Sequence, residues 1–333
     1  PLSEPGTQLF KARLDSLARI KARGVDPYPH KFDRTHTTAE ALAHLESKEH
    51  ASGEGETTDQ VSVAGRIVRL RGMGKATFLD IQDGPGRIQA LLRRNHLAES
   101  YDDLRDLDIG DWLGVSGPLM RTRTGEATVE VHSWNLLCKA LRPLPEKWHG
   151  LADIETRYRQ RYLDLISNDK ARQTALLRSR IVATLRRLMD ANGFMEVETP
   201  VLVSVPAGGM ATPFSTHYKS LNRELFLRIA TELYLKRLIV GGLEKVYEIG
   251  RVFRNEGVDL THNPEFTMME SYEAFADYTD VMSMVEELIL RIAVETLGTP
   301  VVKMGGQTID LTPPWERRSL HKEVLDRSGI DFL

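Results

Sequence analysis

The chain has 333 residues, a net charge of −3, 41% hydrophobic and 27% charged residues, and a single cysteine. These values suit a soluble globular protein of two domains and exclude one whose whole surface is basic enough to attract nucleic acid, so any RNA contact must come from a local patch. Cys138 alone allows neither an intramolecular disulfide nor a cysteine-rich metal site, which fits a reducing cytosol. No apolar run reaches membrane-spanning length and no signal-peptide core opens the chain, so the expectation is a cytoplasmic protein with no membrane partner. The first residue is Pro1 rather than Met, which predicts further residues upstream.

In chain order, Phe10, Leu14, Leu17 and Ile20 recur at helical spacing and predict a helix over 8–23, stopped by Gly24 and Pro27. Its basic residues, Lys11, Arg13, Arg19, Lys21 and Arg23, read as a solvated face. Residues 47–59 are polar and Gly-rich and read as an exposed loop, so 1–60 is a basic helix followed by a loop.

The period then changes. Short β-rich runs at 61–70, 76–82, 87–92, 111–119 and 126–137, punctuated by glycine turns, predict five strands with a helical insertion near 96–107. That pattern over 61–138 matches an OB-fold barrel, though strands and glycines alone also allow another small antiparallel barrel. Residues 139–150, with two prolines, read as an extended interdomain linker.

Helical periodicity returns at about 170–191, with Leu177, Ile181, Leu185 and Leu188 on one face. A strand at 194–202 ends at Pro200, and a strand at 225–229, a helix at 232–240 and a hairpin follow. A last helix starts after Asp277, a candidate N-cap, with Met282, Val285, Ile289 and Ile292 inward. Antiparallel strands mixed with helices make residues 151–333 α+β rather than a doubly wound sheet.

The hairpin carries the chemistry. Its strands, 247–255 and 264–275, are joined by the polar loop GVDLTHN. Alternation puts Arg254 near the end of one strand and Glu270 and Tyr272 on one face of the other. Arg254 can grip a carboxylate and a phosphate, Phe266 can cover a purine, and Glu270 with Tyr272 can receive an ammonium group. An exposed salt-bridged hairpin would use the same residue types, and spacing alone leaves the two open.

GRVFRNEG followed by THNPEFTMMESYEAFADY resembles motif 2 of the class II aminoacyl-tRNA synthetases, in the form used by the lysine enzymes. The class-wide core is Phe253–Glu256; the lysine-type part is Asn255 and Gly257 with His262 to Phe266, Glu270 and Tyr272. GFMEVETPVL resembles motif 1, which implies a homodimer interface at Pro200. Residues 140–168 are similar to the segment joining barrel to catalytic domain, 205–214 to the loop over the amino acid, and 229–250 to the approach to motif 2.

The resemblance implies ATP-dependent activation of L-lysine to lysyl-adenylate and transfer to tRNA(Lys). Arg254 and Glu256 are the implied catalytic residues. Glu256, His262, Asn263 and Phe266 join Arg254 around ATP. Gly208, Glu232, Glu270 and Tyr272 join it around lysine. Phe78, Gln89 and Glu126 become anticodon readers, while Arg69 and Arg71 stay generic phosphate contacts. No segment resembles motif 3, so the ligands of the catalytic Mg2+ are expected after Leu333 and none within this chain. The expectation is therefore part of a longer protein, able to bind anticodon loops but not to activate an amino acid unaided. A relative charging aspartate or asparagine, and a non-catalytic tRNA-binding protein, remain alternatives.

Overall fold

The computed structural model describes residues 7–52, 56–84, 86–144, 151, 153–259 and 261–333, with backbone only at 51, 52 and 56–58. They form two compact units, 1–171 and 172–333. Among the described residues no helix is long and apolar enough to cross a membrane.

The first unit opens with helix α1 (Gln8–Ala22), capped by the Thr7 hydroxyl, which accepts from the Phe10 amide. Its basic residues are not simply solvated. Arg13 is 5% exposed and donates to the carbonyls of Ile109, Ala140 and Arg142; Arg19 and Arg23 pair with buried Asp106. An arginine can enter a core when carbonyls and a carboxylate replace its water, which periodicity does not reveal. Leu14, expected inward, is 39% exposed. Helix α2 (Thr38–Ser52) occupies much of the expected loop. No breaker interrupts it before Gly53, and Ala41 and Leu45 are fully buried. Residues 53–55 of the expected loop lie outside the described residues.

Six strands follow: β1 (Glu56–Met73), β2 (Ala76–Gln82), β3 (Arg87–Arg93), β4 (Trp112–Arg121), β5 (Ala127–Val131) and β6 (Ser133–Cys138). Helix α3 (Arg94–Leu97) and a 3-10 helix (Ala98–Asp106) form the expected insertion. The strand expected at 126–137 is broken at His132, whose amide bonds to the Ser116 carbonyl. β5 pairs with both β3 and β4, and β4 pairs with β1, so the ladder β1-β2-β3-β5-β4 returns to β1. Gly117 permits the tightest approach: a Cβ there would sit 1.8 Å from the Glu130 carbonyl oxygen. Val63, Ile67, Leu79, Ile81, Leu92 and Val115 fill the interior, with Leu97 and Tyr101 of the insertion packed against them.

Residues 139–144, the described part of the expected interdomain linker, lie against this barrel. Lys139 is fully buried and donates to Asp108, Asp111 and the Asp106 carbonyl. Residues 145–150 of that linker lie outside the described residues. Helices α4 (Ile154–Arg159) and α5 (Arg161–Ser167) complete the unit.

Helix α6 (Asp169–Ala191) leads into the second unit. β7 (Met195–Glu196), β8 (Leu202–Val203), β9 (Ser215–Tyr218), β10 (Arg223–Leu227), helix α7 (Glu232–Val240), β11 (Lys245–Phe253) and β12 (Glu265–Glu273) follow. They form two three-stranded sheets, β8-β10-β9 and β12-β11-β7. The strand expected at 194–202 is two short pieces, and β9 was not anticipated. Helix α8 (Tyr278–Leu297) begins at Asp277 with a full capping box. Met284 and Leu288, with Ile292, face the core of Leu188, Met189, Phe194 and Tyr247, whereas Met282, Val285 and Ile289 are 36–41% exposed. The inward stripe is therefore rotated from the expected one; only Ile292 belongs to both. A short hairpin, β13 (Val301–Met304) and β14 (Gln307–Asp310), and helix α9 (Leu320–Ser328) close the chain.

Candidate functional site

The hairpin register sets the geometry of the second unit. Val246 pairs with Tyr272, Glu248 with Glu270, Gly250 with Met268 and Val252 with Phe266. Arg254 lies one residue beyond β11 with the parity of Val252, so it shares a face with Phe266, Glu270 and Tyr272. Its guanidinium carbon lies 5.3 Å from the Phe266 ring centroid, and its Nε donates to the Ile229 carbonyl at 3.4 Å. Its two terminal nitrogens make no hydrogen bond among the described residues, leaving a fork of donors open to an anion.

On that same face, at Glu248 and Gly250, lies a buried ion pair that sequence reading missed. Arg228 on the β10 exit is 3% exposed and donates to Glu248 at 2.5 Å and to the Thr199 carbonyl and hydroxyl at 3.1 Å. The Thr199 hydroxyl also donates to Glu248 at 2.6 Å. Gly250 makes room for it, since a Cβ there would stand 2.2 Å from an Arg228 nitrogen. A lone Arg and Glu on two strands give no sequence signal for pairing; the glycine opposite was the only clue.

Acidic groups gather at the start of α7. Glu270 accepts from the Thr231 amide at 3.3 Å, and Glu232 pairs with Lys236 at 2.6 Å. The Lys236 ammonium lies 5.7 Å from the Tyr272 ring centroid. Burial first, then the charges of Glu270 and Glu232, push the Tyr272 phenol up to about 12. Gly208, at φ +87°, brings its backbone against this cluster: a Cβ would lie 2.8 Å from that of Ala230 and 3.0 Å from that of Glu232. Thr231 buries its hydroxyl there without a hydrogen bond among the described residues. The structure thus brings together Gly208, Glu232, Glu270 and Tyr272, with the Lys236 ammonium paired to Glu232 at their edge.

Other expected residues are not gathered in. Glu256, His262 and Asn263 stand exposed in the hairpin loop. His262 pairs with Asp259 at 2.8 Å, and the side chains of Glu256 and Asn263 make no hydrogen bond among the described residues. Pro200 is exposed beside Val201 and Leu202, which are 40% and 49% exposed.

On the barrel, Phe78, Gln89 and Glu126 share a groove of about 640 Å³. Gln89 is buried and donates to Glu126 at 2.8 Å, while the Thr128 hydroxyl donates to Gln89 at 3.1 Å. Arg71 and Arg123 line the same groove without an ion pair among the described residues, whereas Arg121 is held by Glu49 of α2 at 2.6 Å. An aromatic face, an amide and free guanidinium groups suit splayed bases with their phosphates. Arg69 lies beside Asp80 at 3.9 Å rather than in this groove.

Comparison with known proteins adds two family matches. Residues 61–137 match the OB-fold nucleic acid binding domain, and residues 153–331 match tRNA synthetases class II (D, K and N). The chain is 52% identical over 330 residues to a lysine–tRNA ligase of Dehalococcoides mccartyi, covering 99% of this chain and 66% of that protein. It is 50% identical over 326 residues to one of Pelotomaculum thermopropionicum (98% and 63%) and 48% identical over 324 residues to one of Bacillus subtilis (97% and 65%). The chain therefore spans just under two thirds of the length of these relatives.

Proposed function

The chain belongs to the class II tRNA synthetases of the D, K and N group, and on that premise we propose that it serves a lysine–tRNA ligase, activating L-lysine with ATP and charging tRNA(Lys). The observation that carries the choice of amino acid is the gathering of two carboxylates, Glu232 and Glu270, with the Tyr272 phenol around the start of α7, on the hairpin face that carries the open fork of Arg254. An aspartate or asparagine side chain would meet two carboxylates there, at a cost in repulsion or unpaired polarity.

Activation joins two anions. A lysine carboxylate oxygen attacks the α-phosphorus of ATP, the bond to the bridging oxygen of the β-phosphate breaks, and pyrophosphate leaves. No proton moves, so alignment and charge neutralisation are what the protein must supply. The free nitrogens of Arg254 would hold the carboxylate and the α-phosphate together, and Phe266 would cover the adenine. Removing such a donor costs about 3–4 kcal/mol in comparable sites. Glu256, His262 and Asn263 would reach the nucleotide when the hairpin loop folds over it. Gly208 and Glu232 would hold the α-amino group, with Glu270 and Tyr272 at the side-chain ammonium.

Mg2+ accompanies ATP in this chemistry. The only grouping of three metal-capable side chains among the described residues lies on the barrel, not at the hairpin. In the barrel groove, Phe78 would stack on an anticodon base while Gln89 and Glu126 read base edges. Exposed Pro200, Val201 and Leu202 support a homodimer through this segment, and the cytoplasm is the compartment where tRNA is charged.

Pyrophosphate exchange into ATP by the product of the complete gene tests the reading, with lysine, aspartate and asparagine compared. Lysine alone is expected to support exchange. Exchange driven by aspartate or asparagine instead would overturn the proposal.

A further inference from the structure

His96, Glu130 and His132 bring one ligand atom each to within 4.8 Å of one another on the outside of the barrel. They come from different elements: His96 from α3, Glu130 from β5, and His132 from the break between β5 and β6. The two imidazoles meet edge to face, centroids 5.1 Å apart, and His96 Nδ1 lies 3.8 Å from Glu130 Oε1. Neither ring makes a hydrogen bond among the described residues, although the His96 side chain is only 27% exposed and that of Glu130 only 22%. Two unbonded imidazoles converging on a shielded carboxylate make a ligand set rather than a solvated surface.

We propose that these three side chains bind a single divalent ion of the zinc class, with water in the fourth position. Two nitrogens and one carboxylate oxygen suit zinc and its first-row neighbours, whereas Mg2+ and Ca2+ prefer oxygen throughout. Tetrahedral zinc keeps donors about 2.0–2.2 Å away, hence roughly 3.4 Å from each other. Reaching that value would fall to side-chain rotation, since the backbone beneath Glu130 and His132 is fixed. The His132 amide is bonded to Ser116, and β5 lies between β3 and β4. Arg93, 3.5 Å from Glu130 and 42% exposed, is the competing cation. Its surface ion pair is worth little and yields to a metal. The bound ion would tie α3 to the break at His132, two segments that no strand pairing joins. The site lies outside the ATP, lysine and anticodon positions proposed above and does not depend on them.

Zn2+ alone is the probe. The protein is stripped with a chelator and titrated against a chromogenic competitor near neutral pH. Saturation at one Zn2+ per chain and a higher melting temperature are expected. Loss of even an outer partner of a metal ligand costs about 10–100-fold in affinity, so His132→Ala and His96→Ala should each weaken binding at least about ten-fold. His132 is exposed, so its variant keeps the fold, and His44→Ala, whose ring pairs with Asp59 elsewhere on the unit, should bind as the parent does. Affinity should fall with pH as protons compete for the imidazoles. No saturable binding, or a His132→Ala titration that overlays the parent, would overturn the site.

Discussion

Tyr272 sits where burial and two carboxylates act in the same direction. Both disfavour phenolate, and the folded phenol loses its proton near 12 rather than near 10. The proton therefore strengthens the fold: its contribution is complete below about 10 and is lost as pH rises towards about 12. Denaturation midpoints of Tyr272→Phe and the parent should differ by a constant amount at neutral pH and converge only in that alkaline window. A difference that changes between about pH 6 and 9 would show that another group titrates with it. Gly208 offers a second test. An Ala there must adopt φ +87° and press on Ala230 and Glu232. Misplacing a binding group by about 1 Å can cost a hundred-fold, so Gly208→Ala should raise the KM for lysine at least about ten-fold in pyrophosphate exchange while the KM for ATP moves little. Equal rises in both constants would mean that the loop serves the whole hairpin rather than the amino acid. Both residues were singled out in sequence because the family pattern placed them. The buried Arg228 was not, because nothing in a strand of ordinary composition says that one guanidinium will be withdrawn from water.

Among the elements, the β11–β12 hairpin is tied to its neighbours by that guanidinium, on the face that carries Arg254 and Glu270. Arg228 joins the β10 exit, β11 through Glu248 and the Arg251 carbonyl, and the chain before Pro200 through Thr199. Removing one partner of a buried pair strands the other charge, at about 3–5 kcal/mol. Arg228→Met should lower unfolding free energy by that amount in denaturant titration, and adding Glu248→Leu should restore much of it. A single variant within about 1 kcal/mol of the parent would show that water reaches the pair. Most elements were legible: β2 and α7 occupy the residues their patterns predict, because alternation and helical period there agree with burial. The failures are instructive. Helix α8 is apolar on more than one face, so its own sequence cannot choose between the Met282–Val285–Ile289 stripe and the Met284–Leu288–Ile292 stripe. Packing against Leu188, Met189 and Tyr247 makes that choice. Helix α2 was hidden because Ala41 and Leu45 are the only buried apolar residues among its described side chains, with Thr38 the buried polar one, too little apolar signal among polar neighbours. The fifth barrel strand read as continuous because the break at His132 comes from pairing with β4, which is long-range information.

At the scale of the whole molecule, the two units have separate cores, one inside the barrel and one around Tyr247 and Leu288, and the proposed chemistry divides between them in the same way. The barrel groove offers stacking and phosphate contacts; the hairpin side offers two carboxylates with a phenol, and an arginine fork. Stacking of a base on an aromatic ring contributes about 1–3 kcal/mol, so Phe78→Ala should weaken binding of a tRNA(Lys) anticodon stem-loop by roughly 5–150-fold in a filter or anisotropy titration. Replacing Arg71 or Arg123 with Ala should act differently, weakening binding to any single strand and making the dependence on salt shallower. None of these barrel variants should alter lysine-dependent pyrophosphate exchange, which needs no tRNA in this scheme. Glu270→Gln should show the reverse pattern, raising the KM for lysine while leaving stem-loop affinity intact. Because Glu270 accepts the Thr231 amide, the glutamine keeps that acceptor through its carbonyl oxygen, so the loss reports charge rather than collapse. Equal damage to exchange from Phe78→Ala and from Glu270→Gln would contradict the division, since each core would then be supporting both halves of the chemistry.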